Sequence, residues 1–346
     1  MNDFSTDRIR PDQTGFPSVF ELREHFFKGI TQQRKDLLAA IPSGEMKGTF
    51  IITGAGNGIG ADCALVALRD GYFVIALDKA PCDEAGEFPR DRYVAARCDI
   101  TDTGSLQDAL TRAVSSTQTK HIAGDDIYLV CAAGVYSSTD ARLCMNVNCR
   151  GTRSTIEEIH RRFGCSVRGV TIIGSDQSYF DKNSQRDYGA SNSSQEAPYM
   201  ASKQAIRRYF ESLYADCATS WIPCFVAPAT VITPLTAAVF SVVQPSHHPR
   251  RLVFENWEQE NRDIPDGLLH PLHIAYVIVN VTVRKPFRVS MKVLDCIASG
   301  RGILLDGGLN QQDGISQRSD RYTRFSLTQA DALPVIQMMN FNEIAS

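Results

Sequence analysis

The chain has 346 residues, 43% of them hydrophobic and 22% charged, the balance of a soluble globular protein and not of a disordered, collagenous or fibrous one. Thirty-six basic residues against 39 acidic ones leave a formal charge of −3, so no electrostatic footprint for nucleic acid or anionic lipid is expected. The ten cysteines form no CxxC pair and suit reduced core thiols, no run reaches the roughly 18 apolar residues of a membrane span, and the N-terminus lacks a signal-peptide pattern. A soluble, cytoplasmic protein is the expectation.

In chain order, residues 1–46 form an N-terminal extension with a polar start and an amphipathic pattern over Ser18–Ala40. Residues 47–310 alternate short apolar runs with helical patterns, the rhythm of an α/β domain with a doubly wound parallel sheet. Seven strands are predicted: Thr49–Thr53, Phe73–Leu77, Tyr93–Cys98, Ile127–Cys131, Gly169–Gly174, Pro223–Ala227 and Gly302–Leu305. Residues 311–346 form a C-terminal extension that opens with a polar, loop-like stretch.

The first predicted strand runs into Gly54-Ala55-Gly56-Asn57-Gly58-Ile59-Gly60 and then a helical pattern. Glycines at a strand-to-helix turn allow positive φ and close approach of backbone to a pyrophosphate, whose charge the free N–H groups of the helix start favour. The next strand delivers Asp78 eighteen residues after Gly60. A carboxylate there accepts hydrogen bonds from the adenosine ribose and repels a 2′-phosphate, so the expected cofactor is NAD rather than NADP, with Lys79 next to it as a softening influence.

With Tyr199-Met200-Ala201-Ser202-Lys203 added to Thr53–Gly60, the chain resembles the short-chain dehydrogenase/reductase family, which carries TGxxxGxG after its first strand and YxxxK on a later helix. The resemblance covers residues 47–310 and is supported in order by Asp99-Ile100, Ala133-Gly134, Asn148-Cys149-Arg150-Gly151, Ser175, Pro228 with Thr233, and Asp306-Gly307-Gly308. It implies a single-domain Rossmann fold in which Tyr199 is the general acid/base, Lys203 its activator, Ser175 the partner of the reacting oxygen and Asn148 a link in a proton relay. It further implies cofactor contacts from Gly54, Gly56, Asn57, Gly58, Ile59, Gly60, Asp78, Asp99, Ile100, Ala133, Gly134, Tyr199, Lys203, Pro228 and Thr233.

The residue types suit this chemistry. A free tyrosine has a pKa near 10, so an ammonium must favour the phenolate if it is to accept an alcohol proton near neutrality, and positions i and i+4 share a helix face. Tyr179 and Tyr188 fail this requirement, having Asn183 and Asn192 four residues on. Three departures from the family pattern stand out: Cys131-Ala132-Ala133-Gly134 replaces Asn-Asn-Ala-Gly, Pro228-Ala229 replaces Pro-Gly, and the stretch between Ser175 and Tyr199 is longer than usual, placing an insertion, Ser184–Pro198, over the site's mouth.

A variable substrate lid is implied at about residues 234–268, where His247 and His248 are candidate substrate contacts, as is Gln177 beside Ser175. The Ser-Asp-Gln-Ser run is similar to that of family members acting on sugars and polyols. The histidines complete no ligand set with a carboxylate or cysteine at fixed spacing, so no metal is expected. The reading is an NAD(H)-dependent oxidoreductase interconverting a secondary alcohol and a ketone, with a sugar, polyol or hydroxy acid as candidate substrates. The resemblance implies a homodimer or homotetramer through the helices carrying Asn148–Arg161 and Tyr199–Ala215. Two rivals stay open: a catalytically silent NAD-binding sensor or scaffold, and a reductase of apolar acyl or steroid-like ketones.

Overall fold

The computed structural model describes residues 34–80, 88–115, 126–179, 193–215, 221–231, 233–236, 269 and 271–283, together with the backbone of three strands between 302 and 326. The expected lid contacts His247 and His248, residues 237–268, and most of both terminal extensions lie outside the described residues.

All seven expected strands form: β1 (Thr49–Thr53), β2 (Phe73–Asp78), β3 (Tyr93–Arg97), β4 (Ile127–Cys131), β5 (Val167–Ile173), β6 (Ile222–Pro228) and β7 (Gly302–Asp306). They pair in parallel in the order β3-β2-β1-β4-β5-β6-β7. β1 (TFIIT) is buried along its whole length, because helices cover both faces of the sheet and leave no polar side for alternation.

One face carries α2 (Gly58–Arg69) and α7 (Pro271–Val283), whose side chains share a core with Phe50, Ile52, Val74 and Val226. On the other face α3 (Thr103–Ser115), α5 (Thr152–Phe163) and α6 (Ser193–Ala215) pack over Ile51, Ile75, Leu129 and Ile172. α7 is apolar nearly all round because it lies between α2 and strands β4 to β6. There the Thr171 and Thr282 hydroxyls bond at 2.7 Å, so neither is left unpaired in the core.

The C-terminal extension departs from the loop expected of it. Tyr322–Ser326 forms β9, which pairs with β7 in parallel, and Arg318–Ser319 forms β8, antiparallel to β9. Among the described residues the sheet therefore has nine strands, and β7 is not an edge. In YTRFS the aromatic and β-branched residues Tyr322, Thr323 and Phe325 favour an extended chain, a preference the surrounding polar residues masked.

Of the amphipathic N-terminal pattern, residues 34–39 are described and are helical (α1). α1 docks through Leu37, which enters the core, and through Arg34, whose Nε donates to Asp62 Oδ1 of α2 at 2.9 Å. No helix among the described residues is long and apolar enough to cross a membrane. The described cysteines are free thiols, and Cys63, Cys98, Cys131, Cys144 and Cys224 are buried.

Candidate active site

The strand order places β1 between β2 and β4, so the chain leaves β1 toward one side of the sheet and returns on the other. This opens a crevice at the carboxyl ends of β1 and β4, where ligands of doubly wound sheets bind. Most of the predicted site residues that are described lie on the turns and helix starts along this edge.

Gly54 follows β1 at φ +69°, and a Cβ there would come 2.5 Å from the backbone nitrogen of Ala133 after β4, so only glycine lets these two turns meet. A Cβ on Gly56 would stand 2.7 Å from Asp78 Cγ. Asn57 precedes α2 without a side-chain cap, and no acid occupies the helix's first turn, so the positive end of the helix dipole is left for an anion. Gly58, Ile59 and Gly60 form that first turn, and Thr233 approaches it with its Cγ2 3.4 Å from where a Cβ of Gly58 would lie. Pro228 closes β6 on the same edge.

Asp78 ends β2, accepting from Gly56 N at 2.8 Å and from Ala80 N at 3.0 Å, which fixes its carboxylate beside the glycine turn. Lys79 turns away from Asp78: its Nζ lies 2.7 Å from Asp99 Oδ2. The Lys79 contact, aided by bonds from Thr101, pulls the Asp99 carboxyl down to about 2. Ile100 is buried against Gly151, where a Cβ would come 2.8 Å from its side chain. These features fit a dinucleotide: backbone cradles that a side chain would fill, an uncapped helix start for a pyrophosphate, and a fixed carboxylate for ribose hydroxyls.

Tyr199 and Lys203 lie one turn apart on α6, both buried, with Lys203 Nζ 5.6 Å from the centroid of the Tyr199 ring. The Lys203 ammonium donates to the carbonyl of Ile173, the last residue of β5, at 3.0 Å. Burial lowers the Lys203 pKa to about 8, opposed by the nearby Cys144. Gly134 sits beside this group: a Cβ there would meet Asn148 Oδ1 at 3.4 Å and Lys203 Nζ at 3.8 Å.

Asn148 lies in a π-helical turn, Met145–Gly151, between α4 (Ala141–Cys144) and α5. Such a turn inserts an extra residue into the helix and is common at functional sites. The buried amide accepts from Val135 N at 2.8 Å and donates to Val135 O and to Ser202 Oγ, both at 2.9 Å. Ser202 Oγ in turn donates to Tyr199 O at 2.6 Å, so Asn148 ties the loop after β4 to the helix that carries Tyr199. In the Cys131–Gly134 segment Ala133 N donates to Thr53 Oγ1 at 3.4 Å, which joins the turns after β1 and β4.

Ser175 follows β5 and is buried, its Oγ donating to Asp176 Oδ1 at 2.9 Å. Gln177 continues the 3₁₀ turn Asp176–Tyr179, with its backbone N–H directed at Ser175 Oγ and Asp176 Oδ1. Residues 184–192 of the expected insertion lie outside the described residues, and its remainder, Ser193–Pro198, forms the first turns of α6. Sequence reasoning missed Ser202, Tyr136, whose ring lies 5.5 Å from that of Tyr199, and the hydrogen bond from Ser175 to Asp176. Only Asp176 carried a signal, an acid next to the expected catalytic serine.

Comparison with known proteins fits this geometry. A family model described as short chain dehydrogenase matches residues 48–243, more than half of the chain. No curated protein sequence matched. Among solved structures, the aldohexose dehydrogenase of Thermoplasma acidophilum superposes with a TM-score of 0.57 at 21% identity, covering 79% of this chain and 98% of that one. Levodione reductase gives 0.58 at 15% identity, over 79% of this chain and 100% of the other. A 4-hydroxyisoleucine dehydrogenase solved with NADH gives 0.55 at 19% identity, over 76% of this chain and 98% of that one. At these identities the likeness is one of fold.

Proposed function

Because the chain belongs to the short-chain dehydrogenase family, we propose that it transfers hydride between NAD(H) and a secondary alcohol or its ketone, with Tyr199 as general acid/base. The observation that carries this reading is the buried Lys203 ammonium beside the Tyr199 ring at the carboxyl edge of the sheet.

When bound, a nicotinamide supplies the hydride acceptor or donor. During oxidation Tyr199 takes the alcohol proton on its phenolate oxygen, and during reduction it returns that proton to the new alkoxide. Lys203, held by the Ile173 carbonyl, favours the phenolate electrostatically, and burial strengthens the effect by excluding water. Asn148 keeps α6 in register with the β4 loop through Val135 and Ser202. Ser175 meets the reacting oxygen and orients it for transfer.

The fixed Asp78 carboxylate supports NAD rather than NADP, as does the engagement of Lys79 by Asp99, which occupies the adjacent cation. A sugar, polyol or hydroxy acid is the proposed substrate, Gln177 a contact to it, and α5 and α6 the surfaces of a homodimer or homotetramer in the cytoplasm. The test is NADH absorbance with a panel of alcohols and ketones at fixed NAD and NADP, against a Tyr199→Phe control. Turnover that the control abolishes supports the reading. Cofactor binding with no turnover on any member of the panel favours the silent sensor instead.

A further inference from the structure

Arg207 is a buried arginine, 7% exposed, on α6 one turn beyond Lys203. We propose that Arg207 is a positioning residue that, through the ring of Tyr179, holds the turn bearing Ser175 in place against the helix that carries Tyr199. The assignment rests on the oxidoreductase reading above.

A cation is seldom buried without partners, and Arg207 has two of different kind. Its Nη1 donates to Glu211 Oε1 at 2.7 Å, and its guanidinium carbon stands 5.4 Å from the centroid of the Tyr179 ring, within cation–π range. An apolar side chain would fill the same place without the cost of burying a charge, so what the arginine adds is this stack. Tyr179 ends the 3₁₀ turn that starts at Asp176, directly after Ser175. That turn is closed on the serine: Ser178 N donates to Ser175 O at 2.9 Å, and Ser175 N donates to Ser178 Oγ at 3.2 Å. The segment also bends round one ring of β6, since a Cβ on Gly174 would overlap the Phe225 side chain and the Tyr179 ring meets Phe225 edge-on at 6.2 Å. A hold on Tyr179 is therefore a hold on Ser175.

Tyr199, Lys203 and Arg207 follow at intervals of four along one side of α6. Lys203 takes the Ile173 carbonyl on one side of Ser175, and Arg207 takes the Tyr179 ring on the other. The helix that carries the proton-transferring phenol thus fixes the serine segment at two points. A displacement of about 1 Å in such a constellation can cost about 10²-fold in rate, which makes the second point matter for the reaction and not only for packing. YxxxK contains only the first.

The first test needs no substrate. Hydrogen–deuterium exchange is followed in the parent, Arg207→Met and Tyr179→Leu, by mass analysis of peptides covering Val170–Ile173 and Ser175–Tyr179. In both variants the amides of Ser175–Tyr179 are expected to exchange about tenfold faster while those of Val170–Ile173, at the end held by Lys203, keep the parent rate. Unchanged exchange in the turn overturns the proposal, and so does an equal increase in both peptides, which marks a merely structural role. Tyr179→Leu leaves α6 and its Arg207–Glu211 pair whole, so the comparison stands if Arg207→Met does not fold.

The second test uses the alcohol and ketone that the absorbance panel returns. Arg207→Met and Tyr179→Leu are each expected to lower kcat/KM by about 10–100-fold, with the dissociation constant of NADH changed by less than about twofold. The double variant is expected to be no worse than either single one, because the two side chains act as one unit, and Tyr179→Phe, which keeps the ring, to recover most of the loss. Losses that multiply in the double variant overturn the proposal. A panel without turnover overturns the oxidoreductase reading instead, while the exchange rates still decide whether Arg207 holds the turn.

Discussion

Lys203 Nζ lies 5.6 Å from the centroid of the Tyr199 ring and 3.0 Å from the carbonyl oxygen of Ile173, so one backbone group of the central sheet fixes the ammonium that faces the phenol. The i, i+4 spacing brings the two side chains to one helix face, but the strand end sets where that face points. Tyr199→Phe is expected to reduce turnover by about 10²–10⁴-fold, the usual contribution of a general acid/base, with NADH affinity nearly unchanged. Steady-state kinetics together with quenching of nicotinamide fluorescence measure both.

The same lysine predicts a stability signature. Folded Lys203 releases its proton at about pH 8 and the unfolded side chain near 10.5, so between these values the unfolded chain binds more protons. The Lys203 contribution to stability therefore rises with pH across that window, and below pH 8 the buried charge is carried in full. Urea unfolding between pH 7 and 10.5 is expected to show this rise in the parent protein, by an amount on the order of 2–3 kcal/mol, and not in Lys203→Met. The same substitution is expected to abolish turnover in the absorbance assay.

Cofactor choice is predicted to move with two acids. Asp78→Ala removes the carboxylate that Gly56 N and Ala80 N hold in place. The KM for NAD is expected to rise by about 10–100-fold, the worth of one or two charge-assisted hydrogen bonds, while use of NADP improves. Asp99→Asn releases Lys79 from its 2.7 Å contact and improves NADP use further in the Asp78→Ala background. If NADP kinetics are the same with and without Lys79→Ala in that double variant, the released lysine has no part in the choice.

Asn148→Ala leaves the N–H and carbonyl of Val135 and the Ser202 hydroxyl without the amide that now bonds all three. A loss of about 2–3 kcal/mol in unfolding free energy is expected from these unmet groups, with turnover falling by more than stability alone explains because α6 loses its tie to the β4 loop. Asn148→Asp, which keeps the acceptor toward Val135 N but sets a second acceptor against the Val135 carbonyl in a buried site, is expected to cost at least as much stability as Asn148→Ala; chemical denaturation and kinetics on the two variants measure both.

The described end of the N-terminal extension, residues 34–46, is predicted to be part of the folded unit. Arg34 joins Asp62, fully buried in the helix that follows the glycine turn, by a contact of 2.7 Å. Breaking a buried pair by removing one partner costs about 3–5 kcal/mol, whereas replacing both by apolar residues costs much less. Arg34→Met is therefore expected to lower the unfolding temperature more than Arg34→Met combined with Asp62→Leu, as differential scanning calorimetry would measure.

Much of this architecture is legible locally. The apolar runs that became β1 to β7, the glycine turn with Asp78 beyond it, and the Tyr199 to Lys203 spacing are patterns within a few tens of residues, and each structural element needs only its own stretch of chain to be recognised. The strands β8 and β9 escaped because short extended segments among polar residues gain partners only within the sheet, β9 from β7 and β8 from β9. Beyond such patterns, Asn148 with Ser202, Lys79 with Asp99, Lys203 with the Ile173 carbonyl and Arg34 with Asp62 join residues 20 to 54 positions apart. The amino-acid order by itself determined the kind of sheet and the residue types available at its edge. Which of those groups touch, and hence which charge is free to meet a ligand, was decided only when packing of the two helical layers fixed the strand ends relative to one another, because periodicity constrains the face on which a side chain lies and not the partner across it.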